Sequence, residues 1–178
     1  MPRIENQEIR DLLEEFTASA TLVENVSKSH LEELVMHVSD GCNLACTYCF
    51  ADAGKYGQIS SKWMSTEVAR RSVEEICEKY THVNRIKFFG GEPFLNLPAI
   101  EATIECFKEK ANEGVIDRLP SFNAISNMTT MTEKTVRFIA ENDMQITASL
   151  DGPLDINDTF RVYPNGKGSF AKIDDGIR

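Results

Sequence analysis

Four short apolar runs punctuate the chain: Leu34-Val35-Met36-His37-Val38, Ile86-Lys87-Phe88-Phe89, Phe122 to Ser126, and Ile146 to Leu150. Such runs predict strands buried in a parallel sheet. Between them the apolar positions take a helical period. Ala69, Val73, Ile76 and Tyr80 recur at four, three and four residues, and Leu97, Ile100, Ile104, Phe107 and Ala111 form a second stripe. A third helix starts near Thr132 and carries Val136, Ile139 and Ala140. Ser65 caps the first of these helices, with Glu67 in its first turn, Gly114 ends the second, and Asn142 and Asp143 break the third. Strand and helix alternate with short links, which predicts an α/β fold with a parallel sheet and helices outside it. In such sheets and barrels chemistry collects at the C-terminal ends of the strands.

Residues 1–33 read as an N-terminal helical appendage, with a helix around Glu8 to Phe16 and a break over Thr17-Ala18-Ser19-Ala20-Thr21; residues 34–178 form the core. Ala51 to Lys62 is a polar loop, Asp151-Gly152-Pro153 a turn, and Asn165-Gly166-Lys167-Gly168 a second loop. At 178 residues, 42% hydrophobic and 26% charged, the chain suits one globular domain. No run approaches the roughly 18 apolar residues of a membrane span. The N-terminus also lacks a secretory pattern, so the expected location is cytoplasmic, away from membranes. The net charge of -9 argues against a nucleic-acid partner and disfavours acidic substrates.

Five cysteines, three of them within the eight residues Cys42 to Cys49, point to metal ligation in a reducing compartment and not to a disulfide framework. The spacing CxxxCxxC supplies three thiolates where a fully protein-ligated 4Fe-4S cluster uses four, leaving one iron open to a small molecule. Two other readings compete: three small hydrophobes on one helical face, or a structural zinc site completed by His37 or His30. Cys77 and Cys106 fall within helical stripes and read as core. Gly90-Gly91-Glu92-Pro93 follows the second strand. It is either a tight turn or a cradle in which bare backbone carbonyls and the Glu92 charge receive an ammonium group. Ser126-Asn127 follows the third strand, and Ser149 with Asp151 closes the fourth.

With Tyr48 before the last cysteine, these motifs resemble the radical S-adenosylmethionine (SAM) superfamily over residues 34 to 178. The resemblance implies a partial (β/α) barrel, cut after about four strand-helix units, in which Cys42, Cys46 and Cys49 hold a 4Fe-4S cluster whose open iron chelates SAM. Gly90, Gly91, Glu92 and Pro93 match the motif that contacts the SAM amine. Tyr48 and Phe50 are candidates to flank adenine, Ser149 to meet the ribose or carboxylate, and Arg161 the carboxylate. Ser126, Asn127 and Asp151 complete the implied cofactor-binding set. No catalytic residue toward the substrate is assigned. An electron from a donor such as flavodoxin or ferredoxin is implied to cleave SAM to a 5'-deoxyadenosyl radical, which takes a substrate hydrogen.

Within the superfamily, Cys49 to Gly57, Ser149-Leu150-Asp151-Gly152-Pro153 and Gly168-Ser169-Phe170 resemble the peptide-modifying, SPASM/twitch-type branch. The likeness is greatest to thioether-forming maturases of ribosomal peptides, with anaerobic sulfatase maturases, which form formylglycine, as relatives. The implied substrate is a peptide or protein. Met128 departs from the glycine many relatives carry after Asn127. The chain also ends at Arg178, where a fourth helix should begin and where relatives continue into further units and a cysteine-rich region. The expectation is a truncated form or fragment that binds the first cluster without completing turnover. A non-catalytic zinc- or cluster-binding module is the alternative from another functional class.

Overall fold

The structure, a computed structural model, describes residues 30–53 and 62–178. The helix expected over Glu8 to Phe16, the break after it and most of the loop from Ala51 to Lys62 lie outside the described residues. Four strands form one sheet in the order β1 (His30–Ser39), β2 (His82–Gly90), β3 (Ser121–Ser126) and β4 (Gln145–Ala148), and every neighbouring pair is parallel. Helices α1 (Thr66–Cys77), α2 (Leu97–Asn112) and α3 (Glu133–Glu141) make the crossovers. A 3-10 turn over Pro93–Asn96 leads into α2.

Register explains why the apolar runs predict strands. Met36, Phe88, Ala124 and Ile146 are successive partners across the sheet, and in a parallel ladder partners share a face. That face is sealed by Ala69, Val73 and Cys77 of α1 and by Ile100, Ile104 and Phe107 of α2. Phe88 stacks on Phe122 at 6.3 Å between centroids, and Phe107 tilts onto the same ring at 6.3 Å. His37, Phe89 and Ile125, one residue along, point to the opposite face. Ser65 caps α1 by accepting from the Val68 N–H, and Cys77 and Cys106 are core residues as expected.

The structure departs from the sequence reading toward the ends of the described region. β1 begins at His30, so residues 30–33, read as appendage, already pair with β2. On α3 the expected stripe is displaced: Val136 is 51% exposed, Thr135 is buried, and Phe138 and Ile139 pack only partly on the core. The reason is position, since α3 lies over the sheet's margin, where β4 itself is largely exposed. β4 stops at Ala148; a short helix, α4 (Leu154–Phe160), falls between the expected turn and loop, and α5 (Phe170–Ile177) lies at the end, where the start of a further helix is expected. Among the described residues no helix is long and apolar enough to cross a membrane.

Asn96 joins these parts. Its buried amide donates to the carbonyls of Val38 (2.7 Å) and Met64 (2.9 Å), tying the α2 entry to the end of β1 and to the segment before α1. Replacing Asn96 with Ala is expected to cost about 2 kcal/mol, because the buried Val38 carbonyl and the part-buried Met64 carbonyl each lose a donor. Urea unfolding should show a lower midpoint at unchanged m-value.

Candidate functional site

The cysteine segment leaves β1 as a set of turns, not a helix, so the helical-face reading of its thiols does not hold. Its start is fixed by the neighbouring strand's loop. Gly91 N–H donates to Ser39 O (2.8 Å) and Glu92 N–H to Gly41 O (2.8 Å), while the Ser39 hydroxyl donates to Gly41 O (2.9 Å). This approach requires bare backbone. A Cβ on Gly91 would lie 2.4 Å from Gly41 O, and one on Gly90, whose φ is +147°, would lie 2.1 Å from Ser39 O. The Trp63 ring packs against Gly41 from another side. The far end is held too, with Ala45 N–H bonded to Val162 O (2.7 Å) and Thr47 N–H to Phe160 O (2.9 Å).

Held this way, Cys42, Cys46 and Cys49 line one pocket with Leu44, Tyr48, Phe50, Ala51, Phe89, Gly90, Gly91, Ile125, Asn127, Ser149 and Arg161. The space measures ≈ 720 Å³ out to its solvent-open mouth. Burial pushes the Cys42 and Cys46 thiols up, while the Leu44 N–H opposes this at Cys42 and the Arg161 guanidinium opposes it at Cys46. Among the described residues no three His, Cys, Asp or Glu side chains close around a single ion. His37 pairs with Asp40 at 2.9 Å, and His30 stacks on His82 at the opposite end of β1, about 30 Å along a strand of that length. Neither histidine lines the pocket, so the zinc reading lacks its fourth ligand.

The other expected site residues divide into those that reach the pocket and those beneath it. Tyr48, Phe50, Gly90, Gly91, Asn127, Ser149 and Arg161 reach it. Arg161 donates to the Tyr48 hydroxyl (2.7 Å), which donates to Asp151 (2.6 Å), so Asp151 acts on the pocket through these two. The Arg161 Nε is buried with no hydrogen-bond partner among the described residues. Glu92, read from sequence as a charge for an amine, is 0% exposed. Its carboxyl accepts from Phe94 N–H (3.2 Å), the Ser126 hydroxyl (3.0 Å) and Asn127 N–H (2.7 Å), clamping the β2 and β3 loops together. Pro93 is buried at the start of the 3-10 turn, and the Ser126 hydroxyl is used by Glu92 and by the Met128 N–H. The sequence reading missed Asn43, Thr129 and Trp63. Thr129, two residues after Asn127, is where an Asx turn would place a partner, a signal that was legible.

The residues fit an iron-sulfur cluster with a chelated ligand: three thiols on one pocket, N–H donors on a sulfur, a bare glycine backbone and a buried guanidinium lacking one partner. The profile of the Radical SAM superfamily matches residues 36–178. The chain belongs to the radical SAM superfamily. The family uses a 4Fe-4S cluster and SAM. The chain is 32% identical over 155 residues to a cysteine-type anaerobic sulfatase-maturating enzyme of Clostridium novyi, covering 83% of this chain and 40% of that protein. It is 26% identical to the radical SAM cyclopropyl synthase TigE of Paramaledivibacter caminithermalis, with 93% and 40% covered. The solved structure of native anSMEcpe with bound AdoMet and Cp18Cys peptide superposes at a TM-score of 0.69 and 28% identity, covering 83% of this chain and 39% of that one. The chain therefore spans about 40% of the length of these relatives.

Burial raises the Glu92 carboxyl from an ordinary 4.5 to about 7, against the pull of its three donors. The folded radical SAM chain thus keeps this proton after the unfolded chain has released it. Stability from this group is greatest below the unfolded value and falls as pH rises through about 7. Relative to Glu92→Gln, which carries no such proton, the native chain should lose on the order of 3 kcal/mol between pH 4.5 and 8. Parallel urea titrations of the two proteins read this difference.

Proposed function

We propose that this chain carries the cofactor-binding part of a radical SAM enzyme that modifies a peptide, with the cluster on Cys42, Cys46 and Cys49. The observation that supports this is the shared pocket, where three thiols, the Gly90-Gly91 backbone and the Arg161 guanidinium meet. When bound, the cluster and SAM supply a 5'-deoxyadenosyl radical that takes a hydrogen atom from the substrate. The protein's part is to bind, orient and exclude. The Gly90 and Gly91 carbonyls receive the amine, Arg161 faces the carboxylate, and Ser149 meets the ribose or carboxylate. Tyr48 and Phe50 flank the adenine. Glu92, Pro93 and Ser126 hold the loops that present these groups, and Asp151 holds Tyr48 and Arg161.

A peptide substrate is supported by the likeness to the anSMEcpe structure with bound peptide and by the sulfatase-maturating and cyclopropyl-synthase relatives. The bond we assign is a thioether cross-link in a ribosomal peptide. Formylglycine formation is the second reading, favoured by the 32% identity to a cysteine-type sulfatase-maturating enzyme. The products separate the two, since a thioether consumes a cysteine thiol without creating a carbonyl, whereas formylglycine carries an aldehyde. The electron comes from a flavodoxin- or ferredoxin-type donor in a reducing cytoplasm, and the net charge of -9 favours neither a nucleic-acid nor a membrane partner.

After anaerobic reconstitution, dithionite should drive release of 5'-deoxyadenosine from SAM without any peptide present. Cys46→Ala should abolish that release, because the remaining two thiols cannot hold the cluster. Zinc retained in place of iron, with no SAM cleavage, would point to the metal-binding-module reading instead.

A further inference from the structure

We infer that Asn127 is a positioning residue that acts through Cys42, its amide N–H raising the potential at which the cluster accepts an electron. The inference rests on the cluster reading above. The amide's orientation is fixed by chemistry. Asn127 Oδ1 faces the Thr129 backbone N–H at 3.0 Å, a group that can only donate, so the atom opposite it must be the oxygen. The nitrogen end then points toward Asn43 Oδ1 (3.0 Å) and Cys42 Sγ (3.6 Å). A closed ring locks this choice: Asn43 Nδ2 donates to the Thr129 hydroxyl (2.8 Å), and that hydroxyl donates to Asn127 Oδ1 (2.7 Å). Asn127 is 5% exposed, so solvent does little to weaken the contact.

The arrangement favours one thiol over the others. Cys42 Sγ also receives the Leu44 backbone N–H at 3.4 Å, giving it two N–H dipoles. Among the described residues no side-chain donor reaches the sulfur of Cys46 or Cys49. Reduction adds one electron to a cluster, and part of that charge falls on its sulfur ligands. Donors aimed at a sulfur therefore stabilise the reduced form more than the oxidised one. The nearby Glu92 charge works the other way, and three donors of its own keep it turned to the β2 and β3 loops. Asn127, expected from the sequence to contact SAM, thus lines the pocket with its amide already bonded to Cys42, Asn43 and Thr129.

The test is an anaerobic redox titration of the reconstituted chain, without SAM, followed by electron paramagnetic resonance. Asn127→Ala should load iron and sulfide as the native chain does, yet titrate at a more negative potential. The expected drop in the reduction equilibrium constant is about three- to tenfold, tenfold being about 59 mV for a one-electron couple. Thr129→Val, which loosens the ring but keeps the Thr129 backbone donor, should titrate with the native chain. If Asn127→Ala fails to load, Asn127→Asp carries the test, since its oxygen keeps the Thr129 contacts while a carboxylate replaces the donor; its shift should be in the same direction and larger. A native potential in the loaded Asn127 variant, or equal shifts in Asn127→Ala and Thr129→Val, overturns the inference while leaving the cluster reading intact. A native chain that binds no iron and sulfide overturns both.

Discussion

The site depends on one close approach between two backbone segments, Ser39–Gly41 at the end of β1 and Gly90–Glu92 at the end of β2. Two cross-segment hydrogen bonds of 2.8 Å, with the Ser39 hydroxyl added on Gly41 O, hold them too near for any side chain on Gly91. Each bond contributes only about 1 kcal/mol net, so their importance is geometric more than energetic. They fix where Cys42 begins its turn and leave the glycine backbone bare beside it. A ligand can therefore meet thiol and carbonyl in the same space.

Glu92 extends that constraint to a third strand. A buried carboxyl is costly unless its oxygens are satisfied, and here the donors come from its own 3-10 turn and from Ser126 and Asn127 at the end of β3. Placing Asn127 by its backbone also aims its side chain at Cys42 and Asn43. The charge that sequence suggests for a ligand thus serves to assemble the wall on which the ligand would rest. The charged side chain that does line the pocket is Arg161, beyond β4, held by Tyr48 and Asp151.

Much of this was legible in the residues because it is periodic or punctuated. The β1 to β3 strands, α1 and α2, the Ser65 cap and the placement of the cysteine and glycine motifs at strand ends follow from apolar spacing and turn chemistry. The misses share a physical cause. Val136 and β4 lie at the margin of the sheet, where an apolar pattern does not guarantee cover. α4, at seven residues, is too short to show a clear period beside the Gly152-Pro153 turn. The clamping role of Glu92 is hidden from sequence because it depends on the donors around the carboxyl, and two of the three come from residues 34 and 35 positions away. Asn127 toward Cys42, 85 positions apart, is hidden for the same reason.

The most direct measurement is the electron paramagnetic resonance spectrum of the anaerobically reconstituted and reduced chain before and after SAM is added. A cluster on Cys42, Cys46 and Cys49 keeps an iron without a protein ligand, so SAM binding at that iron should change the spectrum. The change should be lost in Gly91→Ala protein that still contains the cluster, because the glycine approach is disturbed. A reduced cluster whose spectrum is indifferent to saturating SAM would contradict the three-thiolate, open-iron site on which the account rests.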